Sequence, residues 1–282
     1  MNIIDIFTTP IILRMFIGAL GVASLISLCA SLLGVTLVLK KYSMLGDGLA
    51  HIGFGSMAIA AIVEKLFGDS LGFNSLLISV PIVIAASILI LKLDERSGLK
   101  GDSAIALVST SALALGYIIF EYATGSTSDV CSSMFGSASL LTPSSADIIT
   151  TVVLAAVVLL IFILYYNRIF AVTFDETFSK ASGIRTDSFK TVIAVLTSLV
   201  VVMGMKMLGA VLISGLIVFP ALSSMRIFGT FKKVIVGAGV ISVACTAVGV
   251  VLAFLVSGLP IGPSVVVVNL VLYIILCVCK KK

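Results

Sequence analysis

Charge is what this sequence has least of. Only 11% of its 282 residues are charged while 60% are hydrophobic, and the mean hydropathy is +1.29. A soluble domain is about half apolar and about one quarter charged. So little polar surface cannot coat a globule in water, which leaves the hydrocarbon of a bilayer as the solvent for the long apolar runs. A basic cluster is missing too. The net charge of +5 is spread between the apolar runs, which argues against a nucleic-acid partner. The five cysteines (Cys29, Cys131, Cys245, Cys277 and Cys279) have no C-x-x-C or other metal-ligand spacing, and read as ordinary membrane packing. There is no G-x-x-x-x-G-K-[ST] phosphate loop, no H-E-x-x-H and no G-x-S-x-G. Those absences argue against ATP hydrolysis and these hydrolase chemistries on this chain, so any ATPase that drives it is a separate subunit.

What is present is a series of apolar runs, each about 17 to 25 residues long and without the dyad alternation of barrel strands. They cover 11–39, 47–67, 75–93, 103–120, 147–166, 189–205, 207–228, 234–257 and 263–278. The reading is an all-α, polytopic membrane protein with a single domain over 1–282 and eight to nine spans, since only Lys206 separates the sixth run from the seventh. The first run is too long for a signal core and lacks a small-residue cleavage site, so it is expected to stay as a span.

The basic residues orient the chain. Lys40 and Lys41; Lys92, Arg96 and Lys100; Arg168, Lys180, Arg185 and Lys190; Arg226, Lys232 and Lys233; and Lys280, Lys281 and Lys282 all fall in alternate connections. Arg14, Lys65 and Lys206 fall on the other side. The positive-inside rule puts the larger set in the cytoplasm, the N-terminus outside and the C-terminus inside. The long outer connection 121–146 is rich in Ser, Thr and Gly, yet holds the apolar patch 134–141, which suits a segment that re-enters the membrane or covers a pore mouth.

Ionisable groups within spans are costly and read as functional by default. Asp47 and the chain's one histidine, His51, are four residues apart and share a helix face. Carboxylate plus imidazole suits zinc, manganese or iron. Two such ligands half-fill a tetrahedral site, and a second copy across a homodimer axis would complete it. A structural Asp–His hydrogen bond with Asp47 as N-cap is the competing reading of the same spacing. Gly46, Gly48, Gly53 and Gly55 flank the pair and permit close backbone approach. Met203, Met205 and Met207 offer thioethers, but spacing by two on a helix diverges, so they read as core. In the segment 167–188, Thr173 and Glu176 form a T-x-x-E capping box and Gly183 a stop. Between them Phe174, Phe178 and Ala181 make one apolar face, with Asp175, Glu176 and Lys180 elsewhere. The expectation is a short amphipathic helix that rests on lipid or inserts into a groove of a cytoplasmic partner. Pro220 lies mid-span and removes one backbone hydrogen bond, which can bend that helix.

These motifs resemble one family. LVLKKYSMLGDGLAHIGFGSMAIA at 37–60 is similar to the region after the first helix of metal-transporting ABC permeases, L-R-R-x-S-L-x-G-D-A-L-S-H, with Asp47 and His51 on its Asp and His. FDETFSKASG at 174–183 resembles the family's F-D-x-x-x-A-x-x-x-G coupling segment, MFGSASLL at 134–141 its L-F-G-S-L-L element, and KMLGAVLISGLIVFPALSSMR at 206–226 its proline-containing helix. The resemblance covers nearly the whole chain with motif order kept. It implies a type II-like ABC importer permease in the bacterial cytoplasmic (inner) membrane that moves zinc or manganese, with iron as the third option. It further implies a homodimeric pathway embedded in membrane lipid, no stably bound cofactor, and metal contacts at Asp47 and His51. Thr173 to Gly183 would dock on a cytoplasmic ATP-binding subunit, and an extracytoplasmic metal-binding protein would deliver the ion. An ion-coupled secondary metal transporter is the alternative. It calls for inverted repeats and mid-span acids, and neither is evident.

Overall fold

The computed structural model describes residues 10–67, 75–97, 101–124, 145–256 and 259–279. The outer patch 134–141 and Cys131 lie outside the described residues. Every regular element among them is helical: α1 (Pro10–Leu39), α2 (Met44–Phe67), α3 (Ser75–Ser97), α4 (Gly101–Thr124), α5 (Ser145–Leu164), α6 (Tyr166–Phe174), α7 (Glu176–Ala181), α8 (Thr186–Leu208), α9 (Ala210–Ile227), α10 (Phe231–Leu255) and α11 (Ile261–Cys279). All but α6 and α7 are long and apolar enough to cross a membrane, nine among the described residues. A helix is the form in which each span satisfies its own backbone in hydrocarbon.

The helices form an inner and an outer set. Most of α1, α2 and α8 is buried in protein, whereas α3, α4, α5 and α11 turn most of their surface outward. The outer faces are apolar, with Leu107, Leu115 and Ile118 on α4 and Ile149, Val153, Leu160 and Ile163 on α5 all exposed. Such faces suit lipid tails. Small residues set the inner packing, as expected where lipid supplies no hydrophobic drive between helices. α2 and α4 make the most extensive contact. There a Cβ on Gly55 would come within 2.7 Å of the Ala112 carbonyl oxygen, and one on Gly116 within 2.5 Å of Gly55 Cα. A Cβ on Gly34 of α1 would collide with the Ile217 carbonyl of α9. Hydroxyls and a thiol add polar ties. Ser242 Oγ of α10 donates to the Ser27 carbonyl of α1 at 3.0 Å, and Ser224 Oγ of α9 to the Val234 carbonyl of α10 at 2.7 Å. Cys29 Sγ of α1 reaches the Ala155 carbonyl of α5 at 3.9 Å. Met203, Met205 and Met207 are core residues, as their spacing suggests, each 3% exposed or less.

Most helix ends move by a few residues from the sequence reading, and three departures matter for the site. α2 begins at Met44 rather than at 47, so Asp47 is in its first turn and is not its N-cap. The sixth and seventh spans do not part at Lys206. They part at Gly209, whose φ of +93° only glycine adopts readily, while Lys206 remains in the last turn of α8. The capping box does not form. The Thr173 hydroxyl donates to the Ile169 carbonyl within α6, and Asp175 is the N-cap of α7, its Oδ1 accepting from the Phe178 amide at 2.8 Å. The expected single helix from Thr173 is therefore the end of α6, a break at Asp175, and α7. Asp175 wins because a carboxylate at the break satisfies an orphan amide that Thr173, two residues back and still within α6, cannot reach. Gly183 does terminate α7. At φ +81° it completes a Schellman motif, with its amide on the Lys180 carbonyl and the Ile184 amide on that of Ser179.

Candidate functional site

α1 ends in a second Schellman turn. The Lys41 amide bonds to the Val38 carbonyl and the Tyr42 amide to that of Leu37, with Lys41 itself left-handed at φ +63°. The turn sends the chain directly into α2, and it is half-buried, not a free surface loop. Over residues 45–52 of α2, Asp47 and His51 are the two with partly open side chains, while Leu45, Leu49, Ala50 and Ile52 are buried. His51 Nε2 stands 3.6 Å from Asp47 Oδ2, their side chains 27% and 50% exposed. That separation is too long for a hydrogen bond. His51 Nδ1 is buried and has no hydrogen-bond partner. The bland reading of the pair as a cap with an Asp–His hydrogen bond therefore does not hold. One carboxylate and one imidazole lie on one accessible helix face. Among the described residues no third His, Cys, Asp or Glu joins them, so this chain presents half of a tetrahedral ligand set.

The segment after α5 forms a bracket at the same end of the molecule. Tyr166, Phe170 and Phe174 of α6 stack on Phe231 at the start of α10, with centroids 5.8, 5.0 and 5.5 Å away. The Arg168 guanidinium lies over both Tyr165 and Phe189 of α8. Glu176 of α7 binds Lys190 of α8 at 2.8 Å and Lys180 at 3.1 Å, and Lys180 approaches Asp187 at 3.7 Å. Burial opposes ionisation of Glu176, but the hydrogen bonds from Lys190 and Lys180 outweigh it and hold the carboxyl below its ordinary range. The bracket is thereby fixed to α8 and α10 and leaves Phe174 59% and Phe178 67% exposed, with Ala181 exposed beside them. An exposed pair of aromatic rings on a rigid mount is a ready protein-contact surface.

Lys40 connects this bracket to the turn before α2. Its Nζ is buried without a hydrogen bond, and it shares a cavity of about 20 Å³ with Tyr42, Leu45 and Lys190. Burial pushes its ammonium below the usual range. The Glu176 carboxylate counters that shift and Lys190 adds to it. The Glu176–Lys190–Lys40 cluster thus couples α7 electrostatically to the turn that leads into Asp47 and His51. The sequence reading missed Lys40 and Lys190 as members of this cluster. It also missed the upstream reach of the aromatic face, although Tyr166, Phe170, Phe174 and Phe178 recur at intervals of four and could have revealed it. At the opposite end, Asp147 of α5 and Lys206 of α8 pair at 2.8 Å, with side chains about one-fifth exposed. Pro220 is buried in α9, which continues through it.

Comparison with known proteins follows the same lines. The manganese import system permease protein ScaB of Streptococcus gordonii is 24% identical over 258 residues, 92% of this chain and 88% of its own length. The high-affinity zinc uptake system membrane protein ZnuB of Haemophilus influenzae is 24% identical over 257 residues, 91% of this chain and 94% of its own. The fold matches PsaBC of Streptococcus pneumoniae, solved in complex with Fab, at a TM-score of 0.82 and 24% identity, covering 98% of this chain and 94% of that one. The pattern of the ABC 3 transport family spans residues 13–280, and with its multi-pass helical fold the chain belongs to that family of ABC transporter permeases.

Proposed function

We propose that this chain is the permease subunit of an ATP-driven importer that carries a divalent transition metal ion, zinc or manganese with iron as the third option, across a bacterial inner membrane. The observation that carries the reading is the Asp47–His51 pair: one carboxylate and one imidazole on the accessible face of α2, in a family whose relatives include manganese and zinc permeases. The metal is cargo. It meets oxygen and nitrogen donors that suit all three ions, and the ligand set is completed by the same pair from a second copy of the chain. The basic connections face the cytoplasm, which leaves the N-terminus outside and the C-terminus inside. A cytoplasmic ATP-binding subunit docks on the segment from Thr173 to Gly183, with Phe174 and Phe178 as its anchors. Asp175 and Gly183 begin and end α7, Ala181 borders the aromatic patch, and Glu176 relays motion through Lys190 and Lys40 to the foot of α2. Pro220 lets α9 bend as the pathway opens. An extracytoplasmic binding protein delivers the ion.

The test is uptake of zinc, manganese and iron into proteoliposomes that hold this permease, its ATPase and the binding protein. Uptake of one metal that requires ATP hydrolysis, and is abolished by Asp47→Ala and by His51→Ala at equal reconstitution, supports the whole reading. Normal uptake by both variants removes the site. Uptake without the ATPase replaces the importer with an ion-coupled secondary transporter.

A further inference from the structure

One arrangement that the metal pair does not use, and that meets the coupling bracket only at the start of α6, joins positive charge to apolar tracks. It lies at the N-terminal end of α10. Arg226, Lys232 and Lys233 are exposed there, no acidic residue occurs from 222 to 240, and none of the three has a carboxylate partner among the described residues. From the two lysines the exposed stripe of α10 runs through Val236, Val240, Ala244, Val248 and Val251, at intervals of three or four and wholly apolar. A groove of about 540 Å³ lies on one side of this ridge, walled by Ile227, Phe228, Val236, Val240 and Ile241 and including Lys232 and Lys233. A second groove of about 470 Å³ lies on the other side, walled by Leu32, Phe162, Ile163, Tyr166 and Ile235. Lys232 and Val236 border both. Packing keeps the wall of the first groove in place, because a Cβ on Gly237 would run into the Phe228 ring.

Two apolar tracks on either side of one helix ridge, headed by cations with no counter-charge among the described residues, match the form of a diacyl lipid with an anionic headgroup. Each track takes one hydrocarbon chain, and the lysines take the phosphate. Basic pockets between membrane helices bind such headgroups, and each lysine near the membrane surface adds to the attraction. A zwitterionic lipid fits less well, because its own ammonium opposes Lys232 and Lys233. We infer that the α10 ridge between these grooves is a binding site for an anionic phospholipid, its headgroup on Lys232 and Lys233 and its chains on either side of Val236. The site adjoins Phe231, on which Phe170 and Phe174 stack, so a bound lipid supports the end of α10 that carries the bracket. The inference does not depend on which metal is carried.

The test uses the full chain, alone and with its ATPase subunit, extracted from bilayers of phosphatidylglycerol and phosphatidylethanolamine in equal parts, with retained lipid counted by native mass spectrometry. The wild type is expected to keep phosphatidylglycerol in preference. Lys232→Ala or Lys233→Ala alone should weaken that preference about fivefold, and the two together roughly 30-fold. Val240→Trp fills one track and should lower retention of both lipids with the lysines intact. All three side chains are exposed, so the thermal stability of delipidated protein in detergent should not move, which separates lost lipid from lost fold. Equal retention of the two lipids by the wild type overturns the inference. So does unchanged phosphatidylglycerol retention in the double lysine variant. Loss of the ATPase subunit or of a second permease copy with the lipid kept also overturns it, and makes the surface a protein contact.

Discussion

Replacing Lys206 with Met tests an ion pair that ties two spans together. Lys206 Nζ lies 2.8 Å from Asp147 Oδ1, and the side chains are 19% and 21% exposed. A solvated pair of this kind contributes about 0–1 kcal/mol. Removing one partner of a fully buried pair costs about 3–5 kcal/mol, because the other charge is left uncompensated. One-fifth exposure lies between these limits, so Lys206→Met should cost about 2–3 kcal/mol. Helix ends add a second contribution. Asp147 is in the first turn of α5 and Lys206 in the last turn of α8, each at the end of the helix that favours its charge. A charge swap, Asp147→Lys with Lys206→Asp, restores the Coulomb attraction but opposes both dipoles, so it should remain about 1–2 kcal/mol below the wild type. Asp147→Asn with Lys206→Met removes the stranded charge and should recover most of the single-variant loss. The chain has no tryptophan, so the measurement is size-exclusion recovery of a fluorescent-protein fusion after heating. If Lys206→Met survives heating as well as the wild type, water reaches the pair and the burial argument is wrong. If the charge swap restores full stability, the helix-end contribution is absent.

Other outcomes follow from the same geometry. Phe178→Ser should leave thermal stability within about 0.5 kcal/mol, since the ring is exposed, while the ATPase subunit no longer co-purifies; retained co-purification would move the docking surface elsewhere. The Glu176 carboxyl is held below its unfolded value of 4.5, so its stabilisation is complete above that pH and disappears as pH falls through the folded value. Glu176→Gln should therefore be less stable than the wild type at neutral pH, with the gap closing in acid, and an equal gap at both would deny the Lys190 and Lys180 contacts. Gly55→Ala should destabilise the α2–α4 pair by about 1–3 kcal/mol through overpacking, beyond the gain of up to about 1 kcal/mol in helix propensity; a more stable variant, read by the same heating assay, would show that the two helices can part at little cost.

Much of the architecture was legible in the chain itself. Hydrocarbon demands long apolar helices, so the spans follow from composition and order alone. Helix geometry alone also puts Asp47 and His51 on one face, because four residues make about one turn. The aromatic interval of four ending at Phe178 was visible for the same reason. Tertiary structure decided what depends on distant partners. Lys206 reads as a break in an apolar run, yet it stays helical because Asp147, 59 residues earlier, neutralises it, and the break moves to Gly209, where a positive φ is cheap. Glu176 reads as half of a capping box, yet it is drawn to Lys190 of another helix, and Asp175 takes the cap. The burial of Lys40, the stacking of α6 on Phe231 and the twin grooves beside Val236 likewise exist only once helices far apart in sequence are packed. Local hydrogen bonding and solvent preference are written residue by residue, but the choice of partner for a charge or a ring is made by whichever distant surface the fold brings within a few ångströms.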